Sequence, residues 1–284
     1  MKRTAILLTT FNRKHSTLRC LESIKNNLGF DNSLFDIYIA DSNSKDKTLE
    51  AINNLNYNIK IFNVGDNVYW SQGMNLAWQT AKITHEYDFY IWLNDDTSLT
   101  KESIKTIFKD YESVQKKSIL VGVTSDLSGK ITYGGRVKPE GEIIKPNGLT
   151  QKVKYINGNF VLIPKNVFNK IGYIDKKYSH ALGDIDYGLR AQKAGVNIFI
   201  SSKIIANCSS NNTRSYKSIC ETLSKEKNLI KRIKNLNAPL ILPFKEYYYF
   251  NRKHFYLIKT IKFMVGYTLL ILFPRLYLKL KQKF

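Results

Sequence analysis

Three short polar segments carry the carboxylates best suited to chemistry: Asp41 in DSNSKDKT, Asp95 and Asp96 in WLNDDT, and Asp184 with Asp186 in GDIDYGLRAQKAG. Any one of them alone reads as a strand-end turn or a helix cap. Together, in a chain of formal net charge +21, they point to something else. Carboxylates gathered at one edge repel each other unless a cation or a proton stands among them, so metal binding is the better explanation. A divalent ion bridging carboxylate and phosphate oxygens would neutralise a diphosphate leaving group, which is Lewis-acid catalysis.

The elements that must position these carboxylates follow from hydrophobic periodicity. Short apolar or β-branched runs alternate with helical patterns, the signature of an α/β protein whose mostly parallel sheet is covered by helices. Strands are predicted at Thr4 to Leu8, Asp36 to Ala40, Asn58 to Phe62 and Asp88 to Leu93. The intervening helices run from about Lys14 to Asn27, from near Asp46, and from about Ser71 to Ile83, with the polar cluster Asp41 to Ser44 capping the second. Ligands of open α/β sheets bind at the carboxyl ends of the strands, so the loops Thr9 to Arg13, Asp41 to Ser44 and Asn94 to Thr97 should converge on one pocket. Beyond Leu120 the rhythm changes. The stretch Gly129 to Gly148 reads as a hairpin and loop, Asn159 to Ile163 as a strand, and Asp184 to Ala194 as a helix stopped by Gly195.

Length and composition set the outer limits. A chain of 284 residues with 43% hydrophobic content supports one large α/β domain and a small appendage. Cys20, Cys208 and Cys220 are too few and too scattered for a disulfide framework or a close-spaced zinc site, and read as reduced thiols. The apolar run Ala5 to Leu8 is too short for a signal-peptide core, which implies a cytoplasmic protein. From Lys217 onward there are 15 Lys/Arg against three Asp/Glu, a net charge of +12, while the first 216 residues hold 29 against 20, a net of +9. The same tail contains Tyr247, Tyr248, Tyr249, Phe250, Phe255, Tyr256 and Tyr267 and the apolar run Phe263 to Phe273. Basic and aromatic residues beside an apolar run describe a bilayer interface better than a DNA-reading helix. That run falls short of the roughly 20 residues needed to span a bilayer, so the tail should lie on an anionic membrane surface. The expected organisation is a catalytic domain over 1–216, its nucleotide part about 1–98 and its acceptor part about 99–216, followed by a helical, membrane-associating extension over 217–284.

The motifs also carry a resemblance. AILLTTFNR, DSNSKDKT, NVYWSQGMNLAW, YIWLNDDT, NGNFVLIPK and GDIDYGLRAQKAG resemble, in that order, the successive motifs of glycosyltransferase family 2, covering about residues 4 to 210. The nearest likeness is to bacterial enzymes of capsule, O-antigen and related surface polysaccharides. The resemblance implies the GT-A fold, a Rossmann-like, mostly parallel sheet flanked by helices. It implies an inverting transfer of sugar from a UDP- or dTDP-sugar to a hydroxyl of a glycan or lipid-linked acceptor, and the composition of the tail puts that activity at the inner face of the cell membrane. It assigns Thr9, Phe11, Asn12 and Arg13 to the loop around base and ribose, and Asp41 to the N3 proton of uracil or thymine. Asn94, Asp95 and Asp96 take the place of the family's DXD motif, with Asn94 facing the ribose and Asp96 holding Mn²⁺ or Mg²⁺. Trp70 and Asn75 fall in a segment near the sugar and diphosphate, although Trp70 reads equally as core. Gly158, with Asn157 and Asn159, lines the acceptor side, or makes a tight turn before a buried strand. Asp184 matches the catalytic base; Asp186 supports it or caps the helix, and His180 stands close by in sequence. Family members place a metal-binding histidine after the next strand pair, where IIANCSSNN has none.

Two other classes fit parts of the sequence. A basic nucleic-acid-binding protein with a Rossmann-like domain would account for the charge, but no zinc motif, recognition-helix signature or RNA-stacking motif supports it, and no nucleic-acid partner is expected. A Rossmann dehydrogenase would need G-x-G-x-x-G after the first strand, and it is missing.

Overall fold

The structure is a computed structural model, and it describes residues 2–28, 34–55, 58–139, 141–210 and 216–281. The chain begins with β1 (Thr4–Thr10), α1 (Lys14–Leu28), β2 (Phe35–Asp41), α2 (Thr48–Asn53), β3 (Ile59–Asn63), α3 (Trp70–Thr84) and β4 (Phe89–Leu93). Each expected element is present, offset by at most two residues at either end. β5 (Ser98–Leu99), α4 (Ser103–Ser113), β6 (Ile119–Ser125), β7 (Ile131–Tyr133), β8 (Gly135–Arg136), β9 (Gln151–Lys152) and β10 (Tyr155–Ile156) follow. Then come β11 (Phe160–Pro164), α5 (Lys165–Ile171), α6 (Gly183–Lys193) and β12 (Ile198–Asn207).

Period-two alternation along the strands decides which face each side chain enters. In β1, Leu7 joins one core with Tyr38, Met74, Trp78 and Trp92, while its neighbours Ile6 and Leu8 join the other with Leu21, Ile24, Ile91 and Phe160. Helices supply the outer wall of each core: α3 buries Met74, Ala77, Trp78 and Ala81 at helical spacing, and α1 buries Cys20, Leu21 and Ile24. The main sheet runs β3-β2-β1-β4-β11-β6-β12-β5. Its β3 to β4 half is parallel, β11 enters antiparallel between β4 and β6, and β12 pairs parallel with β6. The carboxyl ends of β1, β2 and β4 therefore share one edge.

Two local expectations are corrected. The helix after Asp41 starts at Thr48, with Lys47 at its N-cap position in the left-handed region (φ 64°) and no side-chain cap. Asp41 instead closes its own loop by accepting from the Ser44 backbone N–H (3.0 Å) and hydroxyl (2.5 Å). Secondly, the two short strands inside the glycine-rich stretch do not pair with each other: β7 pairs with β6, and β8 with β10. The hairpin turn falls earlier, at Asp126 to Gly129, where the Gly129 backbone (φ 85°) lets its N–H donate to the Asp126 carbonyl at 3.0 Å.

The helices α7 (Tyr216–Lys225), α8 (Leu229–Leu236), α9 (Phe244–His254), α10 (Leu257–Leu272) and α11 (Pro274–Lys281) complete the chain. Met1–Ser179 with Gly183–Ser210 form one compact unit; His180–Leu182 with Asn211–Phe284 form the other. The second has its own core of Cys220, Leu223, Leu236, Leu242, Tyr267 and Leu270. Among the described residues no helix is long and apolar enough to cross a membrane.

Candidate active site

The first loop is built by clasping β1 to β2. Asn12 turns in the left-handed region (φ 50°), its backbone N–H donates to Ser44 Oγ at 2.8 Å, and its Oδ1 accepts from the Lys45 N–H at 2.7 Å. This spends Asn12 on shaping the loop. Phe11 is left 55% exposed, a free aromatic face beside it, and Asp41 is buried behind Ser44. Thr9 presses on α3 so closely that a Cβ on Gly73 would stand 2.7 Å from Thr9 Cγ2, which explains a glycine there.

The β4 edge holds the acid pair. Arg13 Nη1 donates to Asp95 Oδ1 at 3.1 Å and to Asp96 Oδ2 at 2.7 Å. Burial pushes the Asp95 carboxyl up to about 6, with Asp96 adding to the rise and Arg13 opposing it. Its Oδ2 is buried without a well-formed hydrogen bond, although the Thr10 hydroxyl is near enough to ease its charge. For Arg13, burial disfavours the charge, but the two aspartates outweigh it and the guanidinium pKa is raised. Two cysteines flank the pair, and nothing in their sequence spacing marked them. Cys208 Sγ donates to Asp96 Oδ1 at 3.5 Å, and Cys20 Sγ to the Asn94 carbonyl at 3.5 Å. Burial first, then Asp96, pushes the Cys208 thiol up to about 12, and burial followed by Asp95 and Asp96 raises Cys20 well above its ordinary value. Both are thiols at neutral pH.

A continuous set of contacts leads from that edge to Asp184. Trp70 Nε1–H donates to Asn94 Oδ1 at 2.7 Å, and its ring meets Trp92 edge-on at 6.0 Å. Trp70 is therefore both a wall of the core and the partner of the first residue in the NDD segment. Gly158 lies under the indole: a Cβ there would stand 2.4 Å from Trp70 Cη2, so only glycine fits. The Gly158 N–H donates to Asp184 Oδ2 at 2.9 Å, and the Asn94 N–H donates to the Asn159 carbonyl at 3.0 Å. Burial raises the Asp184 carboxyl above the usual aspartate range, against the pull of the Ile185 and Gly158 N–H groups and of Arg136. A partly buried carboxylate with a raised proton affinity, still reachable from solvent, is suited to general-base work.

Two neighbours are committed elsewhere. Asn75 is buried, donating to the Ile174 carbonyl and accepting from Gln79, so it ties α3 to the loop after α5 and does not join the cluster. Asp186 is fully buried and pairs with Arg190 (Nε to Oδ2, 2.7 Å), whose Nη1 and Nη2 donate to the Ile171 and Tyr173 carbonyls at 2.7 and 2.8 Å. It anchors α6 and leaves Asp184 as the carboxylate facing Gly158.

Among the described residues no cluster of three or more His, Cys, Asp or Glu side chains forms a ready cation cage. The chain offers the Asp95 and Asp96 carboxylates, one of them with an unsatisfied buried oxygen. That donor set fits a hard divalent ion that takes one or two carboxylates and fills its other positions with phosphate oxygens and water.

A sheet whose first half is parallel, with carboxylates at the carboxyl ends of its strands, defines an open α/β protein with a ligand site at that edge, and the sequence match is specific. The profile described as "Glycosyl transferase family 2" matches residues 5–172, more than half of the chain, and the protein belongs to that family. Its sheet flanked by helices is the GT-A arrangement. No curated protein sequence matches the chain. Among solved structures it is similar to S. aureus TarS, with a TM-score of 0.57 at 14% identity over 84% of this chain and 43% of that one. It is also similar to S. aureus TarS 1-349 in complex with UDP, at a TM-score of 0.56 and 15% identity over 78% of this chain and 65% of that one. The complex of the same piece with UDP-GlcNAc gives 0.56 and 15% over 78% and 66%. The chain thus spans less than half of the longer TarS chain, and at such identities the likeness is one of fold.

Proposed function

We propose that this protein is an inverting glycosyltransferase that moves a sugar from a UDP- or dTDP-sugar to a hydroxyl of a glycan or lipid-linked acceptor in bacterial surface-polysaccharide synthesis. The observation that carries the reading is the line of contacts from the Asp95 and Asp96 edge through Asn94, Trp70 and Gly158 to Asp184. Along that line stand an acid pair suited to a diphosphate and a partly buried carboxylate suited to a base, which supports the reading. Family membership and the fold shared with a protein solved with UDP and UDP-GlcNAc support a nucleotide-sugar donor.

Phe11 would stack on the base and Asp41 would accept its imide proton, within a loop that Asn12 holds rigid. Asp96, with Asp95, would hold Mn²⁺ or Mg²⁺, which when bound neutralises the departing diphosphate. Asp184 takes the acceptor hydroxyl proton as that oxygen attacks the anomeric carbon. The new C–O bond forms on the face opposite the breaking bond, and the released electron pair stays on the diphosphate, so the configuration inverts. Trp70 and Gly158 keep the base and the donor edge in register.

The helical unit would hold the enzyme at the cytoplasmic face of an anionic membrane. Three of its helices expose apolar side chains interleaved with cations: Ile230 and Ile233 on α8, Ile258, Ile261 and Val265 on α10, and Leu276 and Leu280 on α11. Lys231, Lys259, Lys262, Arg275 and Lys279 lie among them. Such helices bury their apolar stripe at the headgroup boundary while the amine heads reach water and lipid phosphate. Lys283 of the same basic tail lies outside the described residues.

A panel of UDP- and dTDP-sugars with Mn²⁺ tests the donor assignment. One donor should raise the melting temperature, chelator should abolish that rise, and the transferred sugar should carry the opposite anomeric configuration by NMR. Stabilisation by none of them, or a product of retained configuration, overturns the reading.

A further inference from the structure

The point that lies within hydrogen-bond reach of both Asp95 and Asp96 is filled by a single atom, Nη1 of Arg13, at 3.1 and 2.7 Å. A divalent ion bound between those oxygens must come within about 2.0–2.2 Å of them, so guanidinium and metal cannot occupy the place together. We infer that Arg13 is an internal counter-cation: it neutralises the acid pair while the donor site is empty, and divalent metal gains the pair only when Arg13 turns onto the incoming diphosphate. The inference rests on the proposed reading of Asp95 and Asp96 as the cation site.

The local structure allows such a turn. The Arg13 backbone is fixed, since its carbonyl accepts from the Thr17 N–H at 2.9 Å and from the Ser16 and Thr17 hydroxyls at 3.1 and 2.9 Å, which starts α1. Its side chain is 44% exposed, against 7% for Asp95 and 22% for Asp96, so the arginine head is the movable partner and the acids are the fixed ones. A diphosphate offers that head two oxygens in the forked geometry guanidinium prefers. Metal alone must displace Arg13 without compensation, whereas metal and diphosphate together exchange one set of charge-assisted bonds for two. Binding of the two is then synergistic, because each finds the competent arrangement already populated by the other.

The test is Mn²⁺ titration followed by electron paramagnetic resonance, with and without UDP, on the full chain and on Arg13→Gln with its fold checked by circular dichroism. In the wild type UDP should tighten Mn²⁺ by about tenfold or more. In Arg13→Gln, Mn²⁺ alone should bind about tenfold tighter than in the wild type, and the extra gain from UDP should shrink. Mn²⁺ alone binding the variant no tighter than the wild type overturns the inference. If neither UDP nor dTDP binds the wild type with any metal while the variant still gains Mn²⁺ affinity, Arg13 keeps its role and the donor reading falls instead. Should Arg13→Gln not fold, arginine-labelled wild type gives the answer by NMR. Mg²⁺ with UDP should move the Arg13 Nε–H resonance and Mg²⁺ alone should not; an equal shift from Mg²⁺ alone overturns the inference.

Discussion

The sheet unit and the helical unit treat their side chains in opposite ways. In the sheet unit, polar residues at the strand edge are almost all engaged: Asn12 with Lys45 and Ser44, Asn94 with Trp70, Asp95 and Asp96 with Arg13, Asp184 with Gly158. The helical unit instead leaves apolar side chains in solvent. Of 21 large hydrophobic side chains exposed among the described residues, 14 lie between Leu229 and Leu280. A soluble surface seldom concentrates apolar area in this way without a partner. On the proposed reading, one unit holds fixed charges for a reaction and the other meets an apolar, anionic phase.

The largest effect expected from this contrast is confined to the sheet unit. Asp184→Asn keeps the side-chain shape and removes the proton acceptor, so the transfer rate should fall by about 10²–10⁴-fold while UDP affinity stays near that of the wild type. Asp96→Ala should also bring turnover to background, but with loss of the Mn²⁺-dependent part of UDP binding. Single-turnover kinetics beside UDP calorimetry separates the two. Full turnover of Asp96→Ala in excess chelator removes the metal assignment, and loss of UDP affinity with little loss of rate makes Asp184 a binding residue.

How much of this was legible in the sequence depends on how local the governing interactions are. β1 to β4 and their helices follow from period-two and helical patterns, which are local in sequence even though the strands pair at long range, Thr4 with Phe35 and with Phe89. β12 was not anticipated, because Ser201, Ser202 and Lys203 interrupt its apolar run, and its register against β6 slips between Ile200 and Ile204. α4 and β6 carry ordinary helical and apolar patterns with no polar motif beside them. Within the site, the order of Asp41, the NDD segment and Asp184 was plain. The use of Asn75 was not, because it bonds a carbonyl 99 residues away. Cys208 meets Asp96 across 112 residues, a pairing that only the fold creates. The Asp186–Arg190 pair was within reach, since i,i+4 spacing on a helix puts opposite charges side by side.

The next effect belongs to the helical unit. Removing α9 to α11 would strip Tyr267 and Leu270 from its core, so substitutions in the full chain test it better than truncation. Ile258, Ile261 and Val265 are exposed at 58%, 46% and 55%. Replacing all three with Asn removes roughly 3 kcal/mol of insertion energy, on the order of 100-fold in liposome partition. Lys259→Gln and Lys262→Gln should each cost about 1 kcal/mol, roughly fivefold, on anionic vesicles and nothing on neutral ones. Sedimentation with vesicles of both kinds measures this, with circular dichroism as the fold control. If the triple variant co-sediments like the wild type, the exposed stripe is not the membrane contact.

The smallest effect returns to the sheet unit and asks what its fixed charges cost. Asp95 has its carboxyl pushed up to about 6, chiefly by burial and in spite of Arg13. Its ordinary value is about 3.9, so between about pH 4 and pH 6 the native state holds a proton that the unfolded chain has released. The sign follows from that difference. This group's contribution to native stability is favourable at low pH, declines as pH rises through that window, and leaves a constant penalty above about pH 6. Asp95→Asn carries a neutral amide at every pH and resembles the protonated acid. Its melting temperature should therefore match the wild type near pH 4 and exceed it above pH 6. Each kcal/mol of relief should appear as roughly 2–4 °C in a chain of this size. Calorimetric scans at several pH values without metal measure the gap. A gap independent of pH, or a variant less stable than the wild type at neutral pH, would mean that Arg13 fully compensates the buried charge. The acid pair would then be a structural ion pair rather than a site held ready for another cation.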